Sequence, residues 1–165
     1  MNYSVILIEI AIMLTGFTAL VFGMLLISPL TFISDYPPEI QAEYYRSRHR
    51  EAAKGKLTKL MIVKKLIAVI AFLFLFAWML HLAGAKTFWQ GVGLTLIFML
   101  CIFAWDTFFL DWVLFANIKR VRLPGTEHMN REYHQKWFHV KVCLPVVPFA
   151  FLASILSSAL MLWLW

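Results

Sequence analysis

Two acidic residues lie near the C-terminal end of a long apolar run. Asp106 and Asp111 interrupt the run that extends from Phe88 to Ala116. Ionisable groups at membrane depth are costly and usually functional, whereas at the membrane rim they often meet Lys and Arg. Residues five apart on an α-helix point about 140° from each other, so the sequence predicts no simple paired-carboxylate site. Two interpretations of the aspartates therefore stay open: contacts with Lys and Arg at the membrane rim, or a polar site that the aspartates line.

A second group of polar side chains follows Thr126, which is predicted to be the N-cap of an amphipathic helix up to about residue 140. On such a helix His128, Glu132, Gln135 and His139 follow the spacing i, i+4, i+7, i+11 and share a face. With one of the two aspartates, His128, Glu132 and His139 would supply enough ligands for a divalent metal. The same residues would also serve as an acid–base set near neutral pH.

The same segment has a plainer interpretation as a solvated helix face. Ion pairs four residues apart would then stabilise it, namely Glu127–Arg131 and Glu132–Lys136. The spacing also matches no motif with defined ligand positions, such as HExxH. A haem is not predicted, because haem b needs axial histidines on facing helices, and only His81 of the five histidines lies in an apolar run.

A short basic run follows the first apolar stretch. Arg46, Arg48 and Arg50 could bind a phosphate-bearing lipid headgroup through guanidinium forks. Runs of this kind more often anchor a segment to the anionic cytosolic leaflet, at about 1 kcal/mol per basic residue. Both interpretations predict contact with lipid headgroups.

One further carboxylate, Glu9, lies early in the first apolar run. His81 lies at the end of the second run and is a candidate partner for it. A carboxylate at that depth can be protonated, reach the interface or bond to another helix. The alternative is that the two residues are unrelated and both interfacial.

The elements that position these residues are predicted from the composition. Of the 165 residues 62% are hydrophobic and only 15% charged, and the mean hydropathy is +0.77. A soluble domain is about half apolar. Apolar runs of about 18 residues or more indicate membrane-spanning helices, because a hydrocarbon core of about 30 Å needs about 20 helical residues. The two cysteines, Cys101 and Cys143, fall within apolar runs and indicate no disulfide framework.

The sequence therefore predicts an all-α, polytopic membrane protein with one domain, a four-helix bundle over residues 1–165. The spans are predicted at about 5–33, 66–83, 88–116 and 142–165, with Pro37 and Pro38 ending the first. The polar loops 34–65 and 117–141 are each expected to contain an interfacial helix, near 39–54 and 127–140. Small residues recur every fourth position in the first and last spans and would allow close approach of a partner or a second copy: Thr15, Ala19 and Gly23, then Ala150, Ser154 and Ser158.

The distribution of charge predicts the orientation. Fourteen of the fifteen Lys and Arg lie in the two polar loops, and the remaining one is Lys86. The positive-inside rule then places both loops in the cytosol and both termini outside, in a cell membrane of bacterial cytoplasmic type. Because the basic residues flank spans, the net charge of +6 indicates anionic lipid as a partner rather than nucleic acid.

Three classes of function are compatible with this arrangement. The first is a non-catalytic regulator, accessory subunit or structural component that acts through its cytosolic face, and the absence of a catalytic motif makes it the default. The second is a membrane-embedded enzyme that acts on a lipid or small amphiphile, with or without a divalent metal. The third is a small transporter that uses Glu9 and the aspartates. The enzyme's site would be cytosolic and would consist of Asp106, Asp111, His128, Glu132 and His139.

Overall fold

A computed structural model describes residues 1–47 and 59–165, and within these ranges the chain is helical and contains no strand. The elements are α1 (Tyr3–Ile27), a 3-10 turn (Pro29–Asp35), α2 (Pro38–Ser47), α3 (Lys59–Leu82), α4 (Phe88–Trp105) with a π-helical continuation (Asp106–Phe115), a 3-10 turn (Lys119–Val121), α5 (Asn130–Tyr133), α6 (Lys136–Cys143), a 3-10 turn (Leu144–Val146) and α7 (Val147–Leu164).

Four helices in the described ranges are long and apolar enough to cross a membrane, which confirms the all-α prediction and the number of spans. They cover Tyr3–Ile27, Ile62–Leu82, Phe88–Phe115 and Lys136–Leu164. The first ends six residues before the predicted Ile33. Pro29 is the reason, because the residue before a proline is pushed out of the helical region, and Ser28 is extended with φ −152° and ψ 106°.

The fourth span begins at Lys136 rather than at the predicted Val142. Pro145 and Pro148 therefore lie within the helical run instead of at its start. A proline removes a backbone donor and clashes with the preceding turn, and the chain accommodates the two prolines with a 3-10 turn over Leu144–Val146 between α6 and α7.

The C-terminal part of the third span departs from the α-helix that the sequence predicts. From Asp106 to Phe115 the chain is π-helical, and the N–H of Ala116 donates to the carbonyl of Asp111, five residues earlier. In a π-helix each backbone hydrogen bond joins residues five apart, so one turn separates them. Asp106 and Asp111 therefore lie about one turn apart on the same side, and the expectation that they point about 140° apart is wrong.

The chain divides into two compact units, and the first comprises residues 1–13, 55–101 and 146–165, of which residues 55–58 lie outside the described ranges. Here α1 begins at Asn2, whose Oδ1 accepts the N–H groups of Ser4 and Val5 and whose own N–H donates to the carbonyl of Ala83. The α4 helix packs its small residue Gly91 against Ser158 of α7, so the serine face of α7 is buried within this unit.

The second unit comprises residues 14–54 and 102–145, with residues 48–54 outside the described ranges. Its core joins α1, the first 3-10 turn, α2, the π-helix and the segment after it. Tyr36 donates to the carbonyl of Val121 at 2.6 Å, and the indole N–H of Trp105 donates to Thr18 of α1 at 2.9 Å. The buried residues of this core are Leu25, Tyr36, Ile40, Tyr44, Phe115, Val121, Leu123 and Tyr133.

The segment after Thr126 is not the single helix that the sequence predicts. Only α5 and α6 are helical, and His134 and Gln135 between them lie outside helical geometry. Thr126 is not an N-cap, because its hydroxyl donates to the carbonyl of Leu123 and not to a helix N–H group. The face predicted for His128, Glu132, Gln135 and His139 therefore does not exist as one continuous stripe.

Two buried side chains hold this segment in its bent path. Arg122 donates to the carbonyl of Glu127 at 2.8 Å and to the amide oxygen of Asn130, and its guanidinium lies 4.7 Å from the ring centre of Tyr133. The hydroxyl of Tyr133 accepts the N–H of Leu123 at 2.9 Å. These bonds, which join residues five to ten positions apart, outweigh the local helical preference, because buried polar groups are costly when left unpaired.

The turn before α5 depends on Gly125, and this dependence can be tested. Gly125 has φ +90°, and an added Cβ would lie 2.9 Å from the Oγ of Ser47. We expect Gly125→Ala to lower the free energy of unfolding by about 1–3 kcal/mol, the usual cost of a strained backbone at a non-glycine residue. Titration with a denaturing detergent, followed by circular dichroism, measures the change.

Two further variants separate the causes of that loss. Ser47→Ala in the Gly125→Ala background removes the contact with Oγ and leaves the backbone strain. Gly16→Ala is the control, because its φ is ordinary and a Cβ there meets nothing within 4 Å. Equal stability of Gly125→Ala and Gly16→Ala would contradict the role given to this turn.

Candidate functional site

An aspartate–histidine pair lies in the second unit and joins the π-helix to α6. The Oδ2 of Asp111 lies 3.1 Å from the Nδ1 of His139. His139 is buried, with 6% of its surface exposed, while the side chain of Asp111 keeps 21% exposure. The structure therefore brings together two of the five residues that the sequence proposed as a site.

The local folding of both segments produces this pair. The π-helix places Asp111 on the side that faces α6, and contacts between these two helices are direct. The break at His134 starts α6 at Lys136 and so fixes which of its residues face the π-helix. Phe115 and Phe138 contact the imidazole of His139 edge-on, with ring centres 5.4 Å away in both cases.

The pairing fixes how the two nitrogens of His139 can act. A carboxylate accepts hydrogen bonds, so Nδ1 of His139 carries the proton that points at Asp111. In the neutral ring Nε2 then holds the free lone pair. Nε2 is buried and has no hydrogen-bond partner among the described residues. This is the arrangement of a general base whose tautomer is held by a carboxylate.

A small pocket opens beside the pair. Its enclosed volume is about 10 Å³, which is close to the space that one water molecule needs. Both members of the pair contribute to its wall, together with aromatic and basic side chains. The lining residues are Asp111, Trp112, Ala116, Tyr133, His134, Lys136 and His139.

Tyr133 lines the pocket but is already committed to structural bonds. Thr126 uses its proton for the carbonyl of Leu123, so in the 2.7 Å contact between the two hydroxyls Tyr133 is the donor. Burial raises the pKa of Tyr133, which keeps the phenol neutral. The proton-accepting group of the pocket is therefore His139 rather than Tyr133.

Asp106 lies close enough to the pair to interact with it electrostatically. Its carboxylate interacts with Asp111, His139 and Asp35. Cys143, on the last turn of α6, lies in electrostatic range of the same aspartates. The second unit thus places Asp106, Asp111 and His139 near one another at the contact between the π-helix and α6, with the exposed Asp35 in electrostatic range only.

The other two predicted site residues do not join this group in the structure. His128 is exposed in the turn before α5. Glu132 is half-buried on α5, and neither residue lines the pocket. Among the described residues no three His, Cys, Asp or Glu side chains are placed to hold a metal ion. The residues present therefore do not fit the divalent metal site suggested for His128, Glu132 and His139.

The carboxylate of Glu127 also differs from its predicted role. It accepts the N–H of Gly125 with both oxygens, at 3.0 and 2.9 Å, and this bonding lowers the pKa of Glu127. The predicted pairs with Arg131 and between Glu132 and Lys136 are not among the ion pairs of the described ranges. Glu127 thus stabilises the turn at Gly125 rather than a helix face.

Glu9 and His81 do not pair. Glu9 is buried in the first unit, and neither of its carboxyl oxygens has a hydrogen-bond partner among the described residues. His81 stacks on Trp165 instead, with ring centres 4.6 Å apart. The interpretation of these two residues as unrelated fits the structure better than a bond between them.

The predicted lipid-binding arginines are only partly described. Arg46 is exposed at the end of α2 and pairs with Glu43 at 2.6 Å. Arg48 and Arg50 lie outside the described residues. The second half of the basic helix predicted at 39–54 lies outside them as well.

Five of the seven lining residues were not among the site residues proposed from the sequence, and three of these five bear on the chemistry of the pocket. Trp112, His134 and Lys136 belong to the wall of the pocket, but they resemble other aromatic and basic residues at a membrane rim. A usable signal would have been the short distance in sequence from His134 and Lys136 to His139.

The chain was also compared with protein-family models, curated proteins and solved structures, and none of the three comparisons found a match.

Proposed function

We propose that the chain is an integral protein of a bacterial cytoplasmic membrane, with four spans in one bundle and both termini outside. The distribution of Lys and Arg supports this orientation, because fourteen of the fifteen lie in segments 34–65 and 117–141. In this orientation the second unit faces the cytosol, and the pocket lies at the level of the lipid headgroups.

We further propose that the protein is a membrane-embedded enzyme that performs acid–base chemistry on the headgroup of a lipid or similar amphiphile. One observation carries this proposal: the buried imidazole of His139 is oriented by Asp111 and keeps Nε2 unpartnered beside a pocket. Groups arranged in this way occur where a base must accept a proton near neutral pH.

The chemistry assigned to the pair is a single proton transfer. Nε2 of His139 takes a proton from a water molecule or from a hydroxyl of the substrate. The imidazolium that forms is stabilised by the carboxylate of Asp111, which keeps its own charge. The carboxyl of Asp106 lies in electrostatic range of the imidazolium, and its ionised form favours the same protonated state.

Conversion of lipid by the reconstituted protein tests the proposal. The full chain is placed in liposomes of bacterial total lipid, and lipid species are followed by mass spectrometry over time. We expect one species to be converted, and we expect His139→Gln and Asp111→Asn to lower its rate by about 100-fold or more, the usual contribution of a general base.

His128→Gln is the matched control, because His128 is an exposed histidine of the same segment that does not line the pocket. Its rate should stay within twofold of the wild-type rate. Two results would overturn the enzyme proposal: no lipid species changes with the wild-type protein, or His139→Gln converts the lipid as fast as the wild type does.

A non-catalytic accessory or regulatory role is the second candidate, and one observation favours it. Gly16 and Gly23 of α1 are open, since a Cβ at either position would meet nothing within 4 Å. Small residues on an open helix face allow another helix to approach closely. Cysteine substitution at Gly16, followed by crosslinking in native membranes, should then yield one defined adduct, and a smear of lipid or random adducts would argue against this role.

A further inference from the structure

Lys136 and Trp112 are joined in two ways at the rim of the pocket. The Nζ of Lys136 lies 5.0 Å from the ring centre of Trp112, and the indole N–H of Trp112 donates to the carbonyl of Lys136 at 3.2 Å. A cation held over an indole loses part of its freedom before any ligand arrives. The ammonium group is therefore held near the opening of the pocket while its residue stays exposed.

His134 adds a second group that can carry positive charge. Its Nδ1 lies 2.6 Å from the carbonyl of Asn130. A carbonyl only accepts hydrogen bonds, so Nδ1 is the donor and Nε2 is the nitrogen left for a ligand. Protonation of the ring turns Nε2 into a donor, and an anion nearby favours that protonated form.

An anion is expected on the side of the pocket that Lys136 and His134 line. Asp111 is the single acidic side chain in the lining of this pocket, and its carboxylate faces His139. Lys136 and His134 have no comparable acidic partner in that lining. The N-terminal turn of α6, an eight-residue helix, begins at Lys136 without a side-chain cap, and the positive end of its dipole points to the same place.

The buried His139 provides an independent indication of a ligand. His139 lines the same pocket, and only 6% of its surface is exposed. Its Nε2 has no hydrogen-bond partner in the described part of the chain. A buried polar nitrogen without a partner costs about 1–3 kcal/mol, so a ligand hydroxyl that donates to the Nε2 lone pair, such as the P–OH of a phosphate monoester, offsets that cost.

We propose that this pocket binds the phosphate group of an anionic lipid, with Lys136 and His134 on the phosphate and Trp112 against the glycerol or acyl portion. The proposal rests on the proposed function and names its substrate class. A lipid is favoured over a soluble phosphate because four of the seven lining residues belong to helices that are long and apolar enough to cross a membrane: Asp111 and Trp112 in Phe88–Phe115, and Lys136 and His139 in Lys136–Leu164. The enclosed volume of about 10 Å³ admits a headgroup oxygen, and the rest of the lipid stays outside.

Binding is tested with the full chain in detergent micelles by calorimetry. The ligands are dihexanoyl phosphatidic acid, dihexanoyl phosphatidylcholine and inorganic phosphate, and the His139→Gln protein is used for affinity so that no conversion takes place. We expect phosphatidic acid to bind at least fivefold more tightly than either of the other two. In 15N-histidine NMR spectra of the wild type, the same lipid should shift the Nε2 resonance of His139.

Lys136→Gln should weaken the binding of phosphatidic acid at least fivefold. Lys141→Gln is the matched control, because Lys141 lies on the same helix, is exposed and does not line the pocket. It should change the affinity less than twofold. Equal binding of phosphatidylcholine would overturn recognition of the anion, and equal binding of inorganic phosphate would overturn the lipid as its source.

The failure of this inference and the failure of the enzyme proposal give different results. If a lipid is converted and Lys136→Gln leaves its KM unchanged, the enzyme proposal holds and the phosphate site is wrong. If phosphatidic acid binds with the expected Lys136 dependence and no lipid is converted, the phosphate site holds and the enzyme proposal is wrong.

Discussion

Asp111→Ala is expected to lower the free energy of unfolding by about 2–3 kcal/mol. The substitution leaves the buried His139 with both nitrogens unpartnered among the described residues, since Nε2 has no partner already. Removal of one member of a fully buried pair costs about 3–5 kcal/mol. The 21% exposure of the Asp111 side chain reduces this cost, because water can reach the vacated space.

Detergent-induced unfolding of the purified protein, followed by circular dichroism, measures this loss. Asp35→Ala is the matched control, because Asp35 is exposed and its carboxylate accepts a bond from the neighbouring Ser34. The control should change stability by less than about 0.5 kcal/mol, as surface substitutions usually do. If the two variants were equally stable, the pair would contribute nothing to the fold.

The double substitution Asp111→Ala with His139→Leu isolates the interaction itself. An apolar side chain in place of the imidazole removes the unpartnered nitrogens, so the double variant should be more stable than Asp111→Ala alone. The coupling energy of the cycle is expected to be about 1–2 kcal/mol, within the range of residues in direct contact. Additive effects would show that Asp111 and His139 do not interact in solution.

The sequence predicted the helices better than it predicted their geometry. Four apolar runs give four helices, because bilayer thickness and backbone hydrogen bonding leave few alternatives. The end of the first helix was predicted wrongly at residue 33, although Pro29, two residues after the observed end at Ile27, was a usable signal. The π-helix at Asp106 was not predictable, because it depends on packing in the second unit and has no periodic signal in the sequence.

The candidate site was predicted only in part, because it too depends on packing in the second unit. Asp111 was proposed because acids in an apolar run are often functional, and His139 because it shared a predicted helix face with His128 and Glu132. The direct pairing of Asp111 and His139 requires the π-helical turn and the break at His134. Arg122 and Tyr133 hold that break through bonds to backbone groups five and ten residues away in the chain. His128 and Glu132 were included on the assumption of one continuous helix, and the break removes them from the pocket.

Gly91→Leu is expected to destabilise the protein by about 3 kcal/mol more than Gly93→Leu, near the upper end of the usual cost of overpacking. Both glycines lie in α4, so the two substitutions change helix propensity by the same amount. A Cβ at Gly91 would lie 2.7 Å from Oγ and 3.0 Å from Cβ of Ser158, and 3.3 Å from Leu80, whereas a Cβ at Gly93 meets nothing within 4 Å.

The backbone of α7 cannot yield locally to the larger side chain at position 91. Ser158 is fully buried and its hydroxyl donates to the carbonyl of Ser154, so both serines are already fixed against their own helix. A leucine at 91 must therefore push α4 away from α7, which opens the contacts of the first unit. Unfolding in a denaturing detergent measures the difference, and equal midpoints for the two leucine variants would contradict the close packing.

A second pair of variants tests whether Ser158 is the side chain that a larger residue at 91 meets. Gly91→Ala alone gains helix propensity, about 1 kcal/mol, and loses more than that through the contact with Ser158. Adding Ser158→Gly removes the Oγ and Cβ atoms of Ser158, which relieves the contact. The same substitution lowers the helix propensity of α7. The unfolding midpoint of Gly91→Ala with Ser158→Gly should therefore exceed the value that the two single variants predict by addition, because each substitution relieves the defect of the other. Simple additivity would place the cost of Gly91→Leu elsewhere in the first unit.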